Sequence, residues 1–187
     1  MPIDPILVFA HGAGGHRDDR GMQASARALE AAGLDVRRFN FGYREQGRRI
    51  PDPMPVLKKA YEAAVAREHA QGRRLFLGGR SMGGRVATML AADGLPCDGL
   101  ILLAYPLHPA GKPEKLRDAH LPRIRVPVLC FNGTRDALCT RALMEKALEP
   151  VRAPWEMHWI EGADHSLGTA KALAEIGEAT RRWLQEK

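Results

Sequence analysis

The chain has 187 residues, of which 45% are hydrophobic and 27% charged, and its formal net charge is +6. This composition excludes a disordered chain, and because no apolar run approaches about 20 residues it excludes a membrane-spanning one as well. The basic residues occur in scattered pairs rather than in a run, so the positive charge does not predict nucleic-acid binding.

The length predicts a single domain over residues 1–187. The N-terminal segment lacks the basic region and the long apolar core of a secretory signal, which makes the cytoplasm the expected location. Cys97, Cys130 and Cys139 show no CxxC spacing and no neighbouring histidine pattern, so free thiols are expected rather than disulfides or a metal site. No metal and no organic cofactor is predicted.

Short apolar segments alternate with amphipathic stretches along the chain. The predicted strands are Ile6–Ala10, Val36–Phe41, Leu75–Gly78, Leu100–Ala104, Val128–Asn132 and Glu156–Ile160. This alternation is typical of an α/β protein, in which a mostly parallel sheet lies between two layers of helices. Functional residues of such sheets gather at the carboxyl ends of the strands, so the loops that follow the strands are the candidate site.

The helices between the strands have inward faces that can be predicted from apolar residues at helical spacing. The predicted faces are Met22, Ala26, Leu29 and Gly33 in the first helix, Val56, Ala60, Ala63 and Arg67 in the helix after the second strand, and Ala170, Leu173, Ala174, Gly177 and Leu184 in the last helix.

The first strand is followed by the glycine-rich loop His11–Gly15. A dinucleotide-binding fingerprint starting at Gly12 would need glycine where the chain has Arg17, so this loop does not match it. We expect His11 to pack under the loop and to hydrogen-bond its backbone rather than to act as a catalytic base.

The second strand is followed by the sequence GYREQGRRIPD, which supplies Arg44, Arg48 and Arg49. As a group these arginines predict a mild preference for an anionic substrate. The alternative is that they pair with acidic neighbours such as Asp52 and only fix the loop.

The third strand is followed by GGRSMGG, in which Gly79 to Gly83 match the GxSxG nucleophile elbow with Ser81 at its centre. A phosphate-binding loop would end in Gly-Lys-Ser/Thr, which is absent here. Glycines two residues before and two residues after the serine give clearance where the turn approaches neighbouring backbone. The helix that begins at Met82 directs its N-terminal amides at the position where an oxyanion would form.

The fourth strand is followed by YPLHPAGK, in which Tyr105 and His108 are further candidates for substrate contact. Only residues 105–125 separate this strand from the next, enough for about one helix and a loop. A separate cap domain does not fit there, so an open site is expected.

A serine nucleophile needs a base, and the base needs an acid that orients it. Asp136 follows the fifth strand and His165 follows the sixth, which is the chain order of an elbow enzyme. Asp164 is a weaker candidate for the acid, because a direct sequence neighbour rarely reaches its own histidine ring. We expect Asp164 to brace the loop or to cap the last helix.

Together these residues resemble the α/β-hydrolase superfamily: HGAGG its oxyanion loop, GGRSMGG its elbow, Asp136 its acid and His165 its base. The resemblance covers nearly the whole chain and implies a three-layer α/β/α sandwich with six parallel strands in the order 2-1-3-4-5-6. The first two antiparallel strands of the family and the cap domain are expected to be absent. The resemblance favours Ala13 as the loop amide that joins Met82 in the oxyanion hole, with Gly12 as the alternative.

A closer resemblance is to a small hydrolase-like family near the dienelactone hydrolases, which includes testis-expressed and chromatin-complex homologues. Three segments of the chain look like signatures of this family: GRRIPD (Gly47–Asp52), GGRSMGGR and YPLHPAGKPEKLR (Tyr105–Arg117). Dienelactone hydrolase itself uses cysteine as its nucleophile, so its activity is not carried over to a chain with Ser81.

The sequence therefore predicts a serine hydrolase that acts on a small ester, thioester or lactone through an acyl-enzyme on Ser81. Its predicted binding partner is a small acyl substrate. Binding to nucleic acid or to a membrane is not predicted. The alternative is a scaffold with the hydrolase fold that binds a protein partner.

Overall fold

The strands form one sheet in a computed structural model that describes residues 5–68 and 72–186. They are β1 (Ile6–Ala10), β2 (Asp35–Phe39), β3 (Leu75–Arg80), β4 (Gly99–Leu103), β5 (Val128–Gly133) and β6 (Trp155–Ile160). All neighbouring strands pair in parallel, in the order β2-β1-β3-β4-β5-β6. The predicted sheet and its strand order are confirmed, and every carboxyl end lies at the same edge.

Helices connect the strands. They are α1 (Arg20–Ala31), α2 (Gly42–Glu45), α3 (Met54–Arg67), α4 (Met82–Ala92), α5 (Arg141–Leu148) and α6 (Ala170–Glu186), together with a 3-10 turn at Leu121–Arg123. Within the described ranges, no helix is long and apolar enough to cross a membrane.

The sheet is covered on both faces because its strands alternate between two apolar cores. One core joins Val8, Leu77 and Leu102 to residues of α3, α4 and α5. The other joins Phe9 and Ile101 to residues of α1 and α6. Nearly continuous apolar strands such as β1 and β4 are what burial on both faces requires.

Two predicted helix faces are wrong in register. In α3 the buried residues are Leu57, Tyr61 and Ala64, whereas Val56 is 48% exposed. In α6 the buried residues are Ala172, Ile176, Ala179, Thr180 and Trp183. Leu57 and Tyr61 of α3 and Ile176 and Trp183 of α6 are buried, because such large side chains remove much apolar area from water.

In α1 the predicted Met22, Ala26 and Leu29 are buried, whereas Gly33 lies beyond the end of the helix with a φ of 101°. The alanine-rich face of α6 contacts α1 instead of the sheet: a Cβ at Gly177 would lie 3.0 Å from the Ala28 carbonyl oxygen. The small side chain at position 177 therefore lets the two helices approach closely.

The segment between β4 and β5 is short, and the one helical element in it is the 3-10 turn. No cap domain lies over the carboxyl edge of the sheet in this part of the chain. Ser81 and His165, which lie at that edge, are partly exposed.

Candidate active site

Ser81 occupies the sharp turn between β3 and α4. Its φ of 49° and ψ of −118° lie outside the regions that side chains normally adopt, a conformation that costs about 1–3 kcal/mol when the surroundings enforce it. The Ser81 amide donates to the Leu103 carbonyl at 2.9 Å, which anchors the turn to the end of β4.

The glycines on either side of Ser81 are required by close backbone contacts. A Cβ at Gly79 would lie 2.6 Å from the Ala10 carbonyl oxygen and 2.8 Å from the Gly84 nitrogen. A Cβ at Gly83 would lie 2.7 Å from the His11 carbonyl oxygen and would also overlap the Ala10 carbonyl. The loop after β1 is therefore packed directly against the elbow, with no room for a side chain between them.

His165 connects Ser81 to Asp136 although the three residues lie in separate loops. Its Nε2 is 2.9 Å from Ser81 Oγ, and its Nδ1 is 2.8 Å from Asp136 Oδ2 and 3.0 Å from Oδ1. Because a carboxylate only accepts hydrogen bonds, Nδ1 carries the proton in this arrangement. Nε2 is then free to accept the hydroxyl proton of Ser81.

The Asp136 side chain is fully buried and fixed by two further donors. The Leu138 amide donates to Oδ1 at 2.8 Å, and Asn132 Nδ2 donates to Oδ2 at 3.1 Å. Asn132 also exchanges hydrogen bonds with the Tyr105 backbone, so it connects the ends of β4 and β5. Asn132 was not among the residues predicted from the sequence; its signal was an amide side chain at the end of an otherwise apolar strand.

The loop that carries His165 is braced from two sides. Asp164 Oδ1 accepts from the Ser166 amide at 2.8 Å and from its hydroxyl, and these bonds lower the pKa of Asp164. Arg80 donates to the Ser166 carbonyl and, at 2.7 Å, to Ser25 Oγ on α1. Asp164 thus braces the loop and does not contact the His165 ring.

The loop after β1 lies beside Ser81, and its Gly12 and Ala13 carbonyls accept hydrogen bonds. His11 Nδ1 donates to the Gly12 carbonyl at 2.7 Å, the Phe41 amide donates to His11 Nε2 at 3.2 Å, and Tyr43 donates to the Ala13 carbonyl at 2.7 Å. Burial lowers the pKa of His11, which keeps the ring neutral for this pair of bonds.

Backbone amides near Ser81 are available for a ligand. Among the described residues, none accepts a hydrogen bond from the amide of Gly12, Ala13 or Met82. A Cβ on Gly12 would lie 3.4 Å from the Ser81 Cβ, so this loop and the first turn of α4 flank the serine. Unpaired amides close to a serine hydroxyl are groups that could donate hydrogen bonds to an oxyanion.

Two clefts meet at Ser81. The first, which we call the glycine-loop cleft, has a volume of about 610 Å³ and is lined by Gly12–Gly15, Asp19, Met22, Arg80, Ala104 and His165 among others. The second, which we call the basic cleft, has a volume of about 450 Å³ and is lined by Pro51, Asp52, Met54, Leu57, Met82, Arg85, Pro106, His108, Arg117 and Leu138 among others. Ala13 and Ser81 line both.

The arginines after β2 do not line either of these clefts. Arg48 pairs with Asp52 at 2.8 Å and donates to Gln46, and Arg44 donates to the Arg48 carbonyl at 3.1 Å. Arg49 is exposed beside them. The contacts match the alternative in which these residues fix their own loop, and the arginines that line the basic cleft are Arg85 and Arg117.

Tyr105 is a correction to the predicted substrate contacts. Its side chain is fully buried, and its hydroxyl is 3.4 Å from both the Arg117 carbonyl and His120 Nε2. Burial between β4 and the following loop leaves it no surface for a substrate. His108 is also buried, with 3% of its surface exposed, but it lines the basic cleft, which Tyr105 does not.

Among the described residues, no cluster of histidine, cysteine or carboxylate side chains has the geometry of a metal site. Cys130 and Cys139 are buried, and Cys97 is half-buried; all are free thiols. Burial raises the pKa of Cys97 to about 11 and that of Cys139 to about 12, so these thiols stay protonated at neutral pH.

A model of the alpha/beta hydrolase domain matches residues 4–184 of the chain. Among solved structures, an alpha-beta serine hydrolase homologue from Coxiella burnetii superposes with a TM-score of 0.78 at 22% identity, over 96% of this chain and 85% of that one.

Two further solved structures are similar at the same identity of 22%. A dienelactone hydrolase from Anabaena variabilis has a TM-score of 0.75 and covers 100% of this chain and 88% of its own. A serine hydrolase without lid from Xanthomonas campestris superposes with a TM-score of 0.73, over 98% of this chain and 83% of that one. At this identity the likeness shows a shared fold.

Proposed function

The chain belongs to the family of the alpha/beta hydrolase domain, and from this premise we propose that it is a serine hydrolase of a small carboxylic ester, thioester or lactone. The observation that carries the proposal is the hydrogen-bond chain from Ser81 through His165 to Asp136 at the meeting point of two open clefts.

In the proposed acylation, Ser81 Oγ attacks the acyl carbon while His165 Nε2 takes its proton. Asp136 orients the ring and stabilises the imidazolium that forms. The oxyanion accepts hydrogen bonds from the Met82 amide and from Ala13 or Gly12, and each such donor contributes about 100- to 1000-fold in rate. When the tetrahedral intermediate collapses, the alcohol or thiol leaves with the proton from His165.

Deacylation repeats the same steps with water as the nucleophile. His165 takes a proton from the water as its oxygen attacks the acyl carbon of the ester on Ser81. The second intermediate releases the carboxylic acid and returns the proton to Ser81 Oγ. Every proton is carried by His165, so the cycle needs no cofactor.

The names given to similar solved structures support the reaction class. They describe a serine hydrolase homologue, a dienelactone hydrolase and a serine hydrolase without lid. We also propose that the chain is part of the small branch near the dienelactone hydrolases that includes the testis-expressed and chromatin-complex proteins. Its motifs at Gly47–Asp52 and Tyr105–Arg117 support this, and both segments contribute residues to the basic cleft.

The test is covalent labelling with a fluorophosphonate probe followed by turnover of short acyl esters. We expect the wild-type protein to be labelled at Ser81, and Ser81→Ala to lose both the label and more than about 1000-fold of the ester hydrolysis. Denatured wild-type protein is the control, because an isolated serine does not react with the probe.

Two outcomes contradict the proposal. A folded wild-type protein that takes no label and turns over no ester is a scaffold with the hydrolase fold. Equal labelling of the wild type and Ser81→Ala means that another group reacts and that Ser81 is not the nucleophile.

A further inference from the structure

The basic cleft contains two arginines without a counter-charge. Arg85 lies on α4 one turn after Ser81, and its amide donates to the Ser81 carbonyl at 3.1 Å. Arg117 lies in the loop between β4 and β5 and lines the same cleft. Among the described residues, no carboxylate forms an ion pair with either guanidinium.

The two guanidinium groups also act on each other. Arg85 Nε is buried and has no hydrogen-bond partner in the described part of the chain. Burial lowers the pKa of Arg85, and the positive charge of Arg117 lowers it further. A half-buried cation next to a like charge is an unfavourable arrangement unless an anion binds between the two.

A third unsatisfied group lines the cleft. His108 is 3% exposed, and its Nδ1 is 3.0 Å from the Pro109 carbonyl, which can only accept, so this nitrogen carries a proton. His108 Nε2 is buried and has no partner among the described residues. A buried polar atom without a partner costs stability. Because Nδ1 carries the proton, Nε2 is an acceptor, so the donors that this cleft offers to an anion are the two guanidinium groups.

The other charges near the cleft are already compensated. Asp52 also lines it, but its carboxylate pairs with Arg48 at 2.8 Å. Arg80, on the opposite side of Ser81, donates to Ser25 and to the Ser166 carbonyl. The uncompensated charge in the basic cleft is therefore that of Arg85 and Arg117.

We propose that Arg85 and Arg117 form a carboxylate-binding subsite, and that the substrate is an ester of a short dicarboxylic acid whose second carboxylate is free. The inference rests on the proposed function, since Ser81 must be the nucleophile. Guanidinium groups bind a carboxylate with two parallel hydrogen bonds. Because Arg85 begins one helical turn from Ser81, the free carboxylate lies close to the scissile bond.

The overall reaction is balanced by water alone. The monoester and water give the dicarboxylate, the alcohol and one proton, and the bond broken is the acyl C–O bond that Ser81 attacks. The free carboxylate is unchanged throughout and serves only to hold the acyl group in the basic cleft.

The test compares two substrates of the same shape and different charge. One is monoethyl glutarate, and the other is the ethyl ester in which the free carboxylate is replaced by an uncharged amide. We expect the wild-type kcat/KM to favour the carboxylate substrate by about 10- to 100-fold, as hydrogen bonds to a charged group provide.

Arg85→Met and Arg117→Met should each lower this preference by at least about fivefold, mainly through KM, and the double variant should abolish it. Turnover of the amide substrate should fall by a smaller factor than that of the carboxylate substrate, because a neutral amide forms weaker hydrogen bonds with a guanidinium group than a carboxylate does. Arg27→Met is the matched control: Arg27 is exposed on α1, on the opposite face of the sheet, and its loss removes the same charge.

Failure of the subsite and failure of the enzyme give different results. Equal wild-type turnover of both substrates, or a preference that survives in the double variant, overturns the subsite while the proposed function stands. An absence of any turnover and of fluorophosphonate labelling at Ser81 overturns the proposed function. Thermal unfolding of each variant tests whether the protein is still folded, so that a lost preference for the carboxylate substrate can be assigned to the subsite.

A competition experiment distinguishes a carboxylate from a phosphate site. Glutarate and inorganic phosphate are compared as inhibitors of the amide substrate at constant ionic strength. Stronger inhibition by glutarate, lost in the double variant, supports the proposal. Stronger inhibition by phosphate overturns the assignment to a carboxylate.

Discussion

At the scale of single residues, Arg80 shows how a charge next to the nucleophile can serve positioning rather than substrate binding. Its guanidinium connects Ser25 on α1 to the carbonyl of Ser166, the residue that follows His165. Burial lowers its pKa, yet two acceptors compensate part of that cost. Arg80 therefore holds the loop that carries the proposed base against the elbow.

We expect Arg80→Met to lower kcat by about tenfold and to leave KM nearly unchanged. The reason is that a looser loop shifts His165 away from Ser81, and small misplacements in a catalytic array are costly. Steady-state kinetics with a neutral short-chain ester measure the effect.

The control is Ser25→Ala, which removes the hydrogen bond from Arg80 to Ser25 Oγ and leaves the bond to the Ser166 carbonyl in place. Ser25 also donates to the Gly21 carbonyl, so the variant tests α1 without touching the Ser166 bond. An Arg80→Met variant with unchanged kcat, or one with a raised KM alone, would contradict the positioning role and point to substrate binding.

At the scale of elements, the site depends on the contact between the first turn of α4 and the end of β1. Gly79 and Gly83 let these backbones touch, so the loop after β1 lies beside Ser81. The three atoms nearest to a Cβ at position 79 all belong to backbone, which cannot move aside as a flexible side chain can.

Gly79→Ala should therefore lower the free energy of unfolding by at least about 2 kcal/mol through steric overlap. Urea denaturation followed by circular dichroism measures this change. Gly21→Ala is the matched control, because a Cβ at position 21 meets nothing within 4 Å and alanine favours the helix. Equal effects of the two substitutions would show that the contact with β1 is not what requires glycine.

At the scale of the whole molecule, buried histidines link stability to pH. Burial lowers the pKa of His11, and burial together with the charges of Arg85 and Arg123 lowers that of His120 to about 4. Below the ordinary histidine pKa of about 6.5, the unfolded chain binds protons that the folded protein does not. Stability contributed by the neutral rings is thus lost as pH falls from 6.5 towards 4.

We expect the free energy of unfolding to decrease over this pH range and to decrease less steeply in His120→Gln. Thr88 donates its hydroxyl proton to the Arg85 carbonyl, so His120 Nε2 donates to Thr88, and a glutamine amide can replace that donor. Urea denaturation at pH 7.5, 6.5, 5.5 and 4.5 measures how steeply the free energy of unfolding depends on pH. A variant slope equal to that of the wild type would exclude His120 as a source of the acid sensitivity.

The sequence by itself determined the sheet and the positions of Ser81, Asp136 and His165. Those inferences need only local patterns: apolar runs define the strands, and parallel strands bring their carboxyl ends to one edge. The glycine spacing of the elbow is local as well. For this reason three side chains spread over 85 residues could be predicted to meet.

Only the tertiary structure decided which side chains are buried and which charges are compensated. Tyr105 is enclosed between segments, Arg48 is paired with Asp52, and Arg85 and Arg117 are left unpaired in one cleft. The inward faces of α3 and α6 were decided in the same way, by contact with the sheet. Pairing and burial depend on contacts between segments distant in the chain, and no local pattern contains that information.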